Sequence, residues 1–355
     1  MNLSSYTWLF LFGIALSVTS CKPDAETVYV DQEAVTPYDL KIPQGFFPMP
    51  IPDDNPMTVQ GVELGRELFY DKRLSGDNTQ ACATCHLATS AFSDSDRFST
   101  GIDGSVGDRN AMAIVNLGWS YDSFFWDGRA KTLEEQALGP VTNPVEMNAT
   151  WPEVLDKLNS DAFYRNKFKI AFDIDVIDSL DVAKAISQFE RTLISGNSKF
   201  DKVRAQQDSF TASEKRGSDI FFDEKGDCFH CHGTQMTMGF KDRNNGLQQT
   251  MVDEGVGGAN GNPNDIGKFK APTLRNIELS GPYMHDGRFE TLEEVIEFYN
   301  SGVNVNSPNI DPIMTKNDTD GKRNFTQQDK DDLKAFLLTL TDLEFIENPE
   351  FQDPN

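Results

Sequence analysis

Apolar residues along this chain recur three and four apart, the spacing of a helix, and the strict alternation of a half-buried strand is scarce. From Asp181 to Ile194 that spacing predicts one helix, stopped by Ser195-Gly196-Asn197, and from Asp329 to Leu340 it predicts another. Helices are also predicted over Val62 to Tyr70 and Ser213 to Phe222. Three helix starts pair a Thr with a Glu three residues on, Thr132 with Glu135, Thr211 with Glu214 and Thr291 with Glu294. In such a pair each side chain accepts from a backbone N–H that the helix leaves free. Stretches rich in Gly, Pro, Asn and Asp separate these elements, and Gly255 to Lys268 reads as irregular. The pattern predicts an all-α fold with long irregular loops.

Residues 6–19 are apolar, short for a membrane span and followed by small residues, as in an export signal. Val18-Thr19-Ser20-Cys21 looks like a lipobox, which would make Cys21 the lipidated first residue of the mature chain. Residues 1–5 hold no Lys or Arg, so an uncleaved membrane anchor stays open as the alternative. With either, the body is expected outside the cytoplasm, in the cell envelope or periplasm. Residues 22–45 are polar and read as a tether. The formal net charge is −24, scattered rather than run together, which argues against nucleic acid and against an anionic membrane surface as partners. It suits a plain acidic exported protein, and it equally suits docking to a basic electron-transfer partner.

Two pentapeptides then narrow the chemistry: Cys82-Ala83-Thr84-Cys85-His86 and Cys228-Phe229-His230-Cys231-His232. CxxCH is the attachment signature of c-type haem. Its two thiols lie on one side of a helical turn, where they can form thioethers with one porphyrin, and the adjoining imidazole faces the iron. The chain has five Cys, and only Cys21 lies outside these motifs. Of its four His, His86 and His232 follow the Cys pairs, and His230 and His285 are left over. A zinc ribbon is the rival reading, but it explains neither the His after each pair nor the long separation of the pairs. Two covalent haems are expected. The halves also resemble each other. Each runs from a helix into CxxCH, then a long loop, then Trp126-Asp127-Gly128-Arg129 or His285-Asp286-Gly287-Arg288, then Thr-Leu-Glu-Glu. This predicts two cytochrome c-like domains, over residues 46–205 and 206–345, with 346–355 as a tail.

Phe125-Trp126-Asp127-Gly128-Arg129, Gly139-Pro140-Val141, Pro144-Val145-Glu146-Met147, Phe189-Glu190-Arg191-Thr192-Leu193 and Pro282-Tyr283-Met284-His285-Asp286-Gly287-Arg288 together resemble one family. It is that of the bacterial diheme cytochrome c peroxidases and their relative MauG, over roughly residues 45–345. The resemblance implies a peroxidatic first haem and an electron-transferring second haem. It implies that Glu146 is the acid/base carboxylate above the peroxide site, with Gln136 its hydrogen-bonding neighbour and Trp126 between the haems. A calcium ion held by Asn110 and the backbone oxygens of Ser280 and Pro282 is also implied, since hard oxygen donors suit that cation.

Two departures point to a MauG-like subgroup. Typical members carry a His shortly after Ser-Thr-Gly that caps the first haem. Here Ser99-Thr100-Gly101 is followed by Ile102, and no His lies between His86 and His230. The first site is therefore expected to be open. Typical members also place a Met fourteen residues beyond the His of the second motif, where this chain has Tyr299 and MauG has a Tyr ligand. A phenolate would lower the second haem's potential; Met314 is the alternative ligand. The expected activity is reduction of hydrogen peroxide, with electrons from a small cytochrome, a cupredoxin or an oxidisable protein substrate. MauG-like maturation of a partner's cofactor and non-enzymatic electron carriage by two haems are the alternatives.

Overall fold

In the computed structural model, residue 1 and residues 35–234, 238–239, 241–316 and 320–355 are described. Cys21, the expected signal and most of the expected tether lie outside these residues.

Two helix crossings organise the body. Helix Val59–Tyr70 crosses helix Ser179–Thr192, and helix Ala212–Phe221 crosses helix Gln327–Leu338. A glycine lets the backbones meet at each. A Cβ at Gly65 would fall 1.9 Å from the Ala185 carbonyl oxygen, and one at Gly217 would fall 1.9 Å from that of Asp332. Leu64, Leu68, Phe69, Ile186 and Phe189 pack at the first crossing, and Phe221, Leu333, Phe336 and Leu337 at the second. Both cores lie within one compact unit, residues 35–355.

Capping fixes the helix starts. Thr211 with Glu214 and Thr291 with Glu294 form reciprocal boxes. Thr132 Oγ1 accepts from the Glu135 N–H, but the Glu135 carboxylate reaches one residue further back, to the Lys131 N–H. The helix expected from Asp181 begins at Ser179, because Asp178 and Asp181 form a box of their own. Likewise Thr326 and Asp329 start the Gln327–Leu338 helix two residues before the apolar pattern does.

Three features depart from the sequence pattern. The segment from Gly255 to Lys268 is not wholly irregular: it holds a short helix, Val256–Asn260, ended by Gly261 at φ +71°. A two-residue antiparallel ladder joins Asp242–Arg243 to Phe269–Lys270, too short for alternation to reveal. The end segments are docked. The Tyr38 N–H donates to the Met57 carbonyl, and Leu40 and Ile42 pack beside Met49 and Trp119. At the C-terminus, Arg66 Nε donates to the Gln352 carbonyl and the Tyr70 hydroxyl to that of Phe351, whose ring is buried. No helix among the described residues is long and apolar enough to cross a membrane.

The internal repeat extends to backbone conformation. Phe124 bridges Ala130, and Tyr283 bridges Phe289, each closing a loop over the Asp-Gly-Arg motif. In both loops the second residue, Phe125 or Met284, has positive φ, as does the glycine, and the Asp pairs with the Arg two residues on.

Candidate functional site

Around the first CxxCH, the helix Cys82–Cys85 presents both thiols, and the His86 amide closes its last turn on the Cys82 carbonyl. His86 Nδ1 lies 2.9 Å from the Phe92 carbonyl oxygen. Phe92 and Ala91 both have positive φ, which turns that carbonyl back to the ring. With Nδ1–H donating there, the ring's orientation is fixed and Nε2 is the nitrogen that could ligate a metal. Burial lowers the His86 pKa, keeping the imidazole neutral as metal ligation requires.

Glu146 is placed by the end of helix Leu133–Thr142. Near the helix end the carbonyls of Pro140 and Val141 accept from the Met147 and Ala149 N–H groups, folding the following loop over it. Asn143, the cap, then holds the loop twice. Its Oδ1 accepts from the Val145 N–H at 3.2 Å and its Nδ2 donates to Glu146 Oε1 at 2.5 Å. Burial raises the Glu146 pKa, against the Asn143 hydrogen bond and the Arg129 charge. Both Cys82 and Cys85 are pushed up, first by burial, with the Glu146 charge a smaller contribution to each. The Ile102 N–H donates to the Glu146 carbonyl at 3.0 Å. Ile102, which follows Ser99-Thr100-Gly101, is thus anchored directly to the segment carrying Glu146. Gln136 is half-buried on the same helix, and its side chain makes no hydrogen bond among the described residues.

The second CxxCH opens into a cavity lined by Cys228, Cys231, His232, Tyr299, Met314 and Trp126. Apolar side chains including Phe221, Leu274, Ile277 and Ile296 line it as well. Thiols, an imidazole and a largely apolar wall fit a covalent haem. Tyr299 stands in a π-helical turn, Phe298–Gly302, a local widening that occurs often at functional sites. Burial raises its pKa to about 12. Met314 is buried and packs in the same cluster as Tyr299, so the tyrosine and its alternative share one wall.

Trp126 borders this cavity, and its Nε1–H donates to the Asn110 carbonyl at 2.8 Å. The Asn110 N–H in turn donates to the His285 carbonyl at 2.8 Å. His285 is buried, stacked on Phe269 with centroids 3.8 Å apart, and its ring stands 6.4 Å from that of Trp126. The two repeated motifs therefore meet edge to face. Asn110, Ser280 and Pro282 also line the cavity. The Asn110 amide Nδ2 is turned to the Asp96 and Arg97 carbonyls. Glu224, Asp227 and His230 come together too, but Lys316 pairs with both carboxylates and Arg323 lies 3.5 Å from Asp227, which offsets their charge. Sequence reasoning did not single out Asn143, the Phe92 carbonyl, Phe269 or Asn245, which act through contacts that no motif marks.

The family described as di-haem cytochrome c peroxidase matches residues 59–209. The cytochrome c peroxidase Ccp of Escherichia coli (strain K12) is 34% identical over 313 residues, 86% of this chain and 62% of that longer protein. The methylamine utilization protein MauG of Methylophilus methylotrophus is 32% identical over 82% of this chain and 85% of its own length. Among solved structures, a MauG-like protein associated with microbial copper homeostasis superposes with a TM-score of 0.82 at 36% identity, covering 89% of this chain and 99% of that one.

Proposed function

Because the chain belongs to the family of di-haem cytochrome c peroxidases and MauG, we propose that it is an oxidoreductase that reduces hydrogen peroxide at its first CxxCH and passes electrons through its second. Cys82, Cys85 and His86 hold one haem c, and Cys228, Cys231 and His232 the other, in two cytochrome c-like halves. The bound haems supply the redox iron at which the peroxide O–O bond is broken.

The protein's own part is proton movement and electron passage. Glu146 Oε1 is occupied by Asn143, so Oε2 is the atom that takes a proton from one peroxide oxygen and returns it to the other, which leaves as water. Burial supports this role, because a carboxyl with a raised pKa can both accept and release a proton near neutral pH. Gln136 steadies the peroxide by a hydrogen bond. Trp126, held between the two motifs, carries electrons from the second site to the first. Tyr299, which lines one cavity with His232, would hold the second haem together with it. Each turnover uses two electrons and two protons, the electrons coming from a small cytochrome, a cupredoxin or an oxidisable protein. A calcium ion at Asn110, Ser280 and Pro282 and a lipid anchor at Cys21, holding the protein in the cell envelope, complete this reading.

The observation that carries it is the Asn143-held Glu146, a carboxyl raised by burial, in a chain with no His between His86 and His230. Glu146→Gln keeps the shape and loses the proton carrier. Peroxide turnover by the diheme protein should fall about 10²–10⁴-fold with both haems still attached. A wild-type rate in that variant would remove Glu146 from the mechanism. Oxidation of a partner protein, the MauG-like alternative, is favoured by Tyr299 and by the likeness to the MauG-like structure.

A further inference from the structure

The Tyr299 oxygen accepts a hydrogen bond from Asn245 Nδ2 at 3.2 Å. The same nitrogen lies 3.6 Å from Met284 Sδ, so one amide N–H group stands between a phenol and a thioether at the wall of the second cavity. Asn245 is not free to drift. Its neighbour Asn244 donates to Ser307 Oγ at 2.9 Å and to the Pro308 carbonyl at 2.6 Å, and accepts from the Gly246 N–H at 2.8 Å. The Asp311 N–H donates to the Asn244 carbonyl and the Asn304 N–H to that of Gly246. Gly246 itself has φ +75°, and a Cβ there would fall 2.8 Å from Val303 Cγ1. A side chain is barred from that turn by both conformation and space. Four hydrogen bonds from the flanking Asn244 and Gly246 therefore tie this turn to the loop that follows Tyr299, and a fifth closes the glycine turn on itself.

An N–H that donates to an anionic oxygen makes a charge-assisted bond, stronger than a bond to a neutral acceptor and much stronger than one to a thioether. Such a donor favours phenolate over a competing sulfur ligand, and it draws electron density from the oxygen it binds. We propose that Asn245 is the positioning residue of the second haem site: it orients the Tyr299 oxygen toward the iron held by His232 and moderates its donor strength. This rests on the reading of Tyr299 as a ligand.

The test uses the mature diheme protein and measures the reduction potential and ferric electron paramagnetic resonance spectrum of each haem. Asn245→Leu removes the donor at similar volume; Asn245→Ala serves the same purpose if Leu prevents haem attachment. Without the N–H, the phenolate donates more strongly to ferric iron. The second haem's potential should therefore shift downward and its resonance should move, while the first haem stays unchanged. In a Tyr299→Phe background the Asn245 substitution should add no further shift. If Tyr299→Phe alters the second haem but Asn245→Leu and Asn245→Ala do not, the positioning role is overturned and the tyrosine ligand stands. If Tyr299→Phe itself alters nothing, the ligand reading fails and this proposal with it.

Discussion

At the residue scale, Asn143 holds Glu146 through a 2.5 Å hydrogen bond; the CxxCH pairs could be read from their spacing, and Glu146 only from the family resemblance carried by Pro144-Val145-Glu146-Met147. Asn143, Asn245 and Phe92 could not, because an amide or a carbonyl in a loop gains its role only from what folding brings beside it. Glu190 is a further case. It falls inside a motif, but its burial is visible only in the folded chain. It is 3% exposed, one of its oxygens is without a hydrogen-bond partner among the described residues, and its carboxyl is pushed up to about 8, chiefly by burial and also by Glu134, against Arg191. The folded chain thus keeps a proton that the unfolded chain releases near its ordinary value of 4.5. The stability this group contributes is complete below that pH and is lost as pH rises through about 8. Glu190→Gln removes the loss. Thermal unfolding across this range should show the variant gaining on the parent as pH rises, whereas a constant difference would mean that Glu190 is ionised in the folded state.

At the scale of elements, capping side chains place the helix starts more accurately than apolar spacing does. Asp178 and Thr326 each start a helix two residues ahead of its apolar pattern, through a carboxylate three residues on. Spacing also gave no sign of the Asp242–Arg243 ladder or the Val256–Asn260 helix, since two to five residues hold too little periodicity to register. The close crossings depend on Gly65 and Gly217, whose importance comes from the facing carbonyls of Ala185 and Asp332. A methyl group there must push the helices apart. Gly65→Ala and Gly217→Ala should each cost at least the ~1–3 kcal/mol typical of overpacking, read by denaturant unfolding. A stability equal to the parent's in either variant would show that its crossing has room to spare.

At the scale of the whole molecule, the repeated sequence motifs correspond to repeated loops. The loop over Trp126 and the loop over His285 share a bridge, a positive φ at the second residue and an Asp–Arg pair, and they meet through Asn110. That meeting joins the first CxxCH half to the cavity of the second. In the proposed function one site handles peroxide and the other handles electrons. On the proposed reading the first site needs no reduction to open, because Ile102 follows Ser99-Thr100-Gly101 where relatives carry a capping imidazole, and its amide is tied to the Glu146 carbonyl. The direct test is to mix the fully oxidised diheme protein with one equivalent of peroxide and follow its absorption spectrum. An immediate spectral change, without any prior reductant, is the predicted result. A low-spin, peroxide-inert spectrum that responds only after one-electron reduction would contradict the claim and show that another ligand closes the first iron.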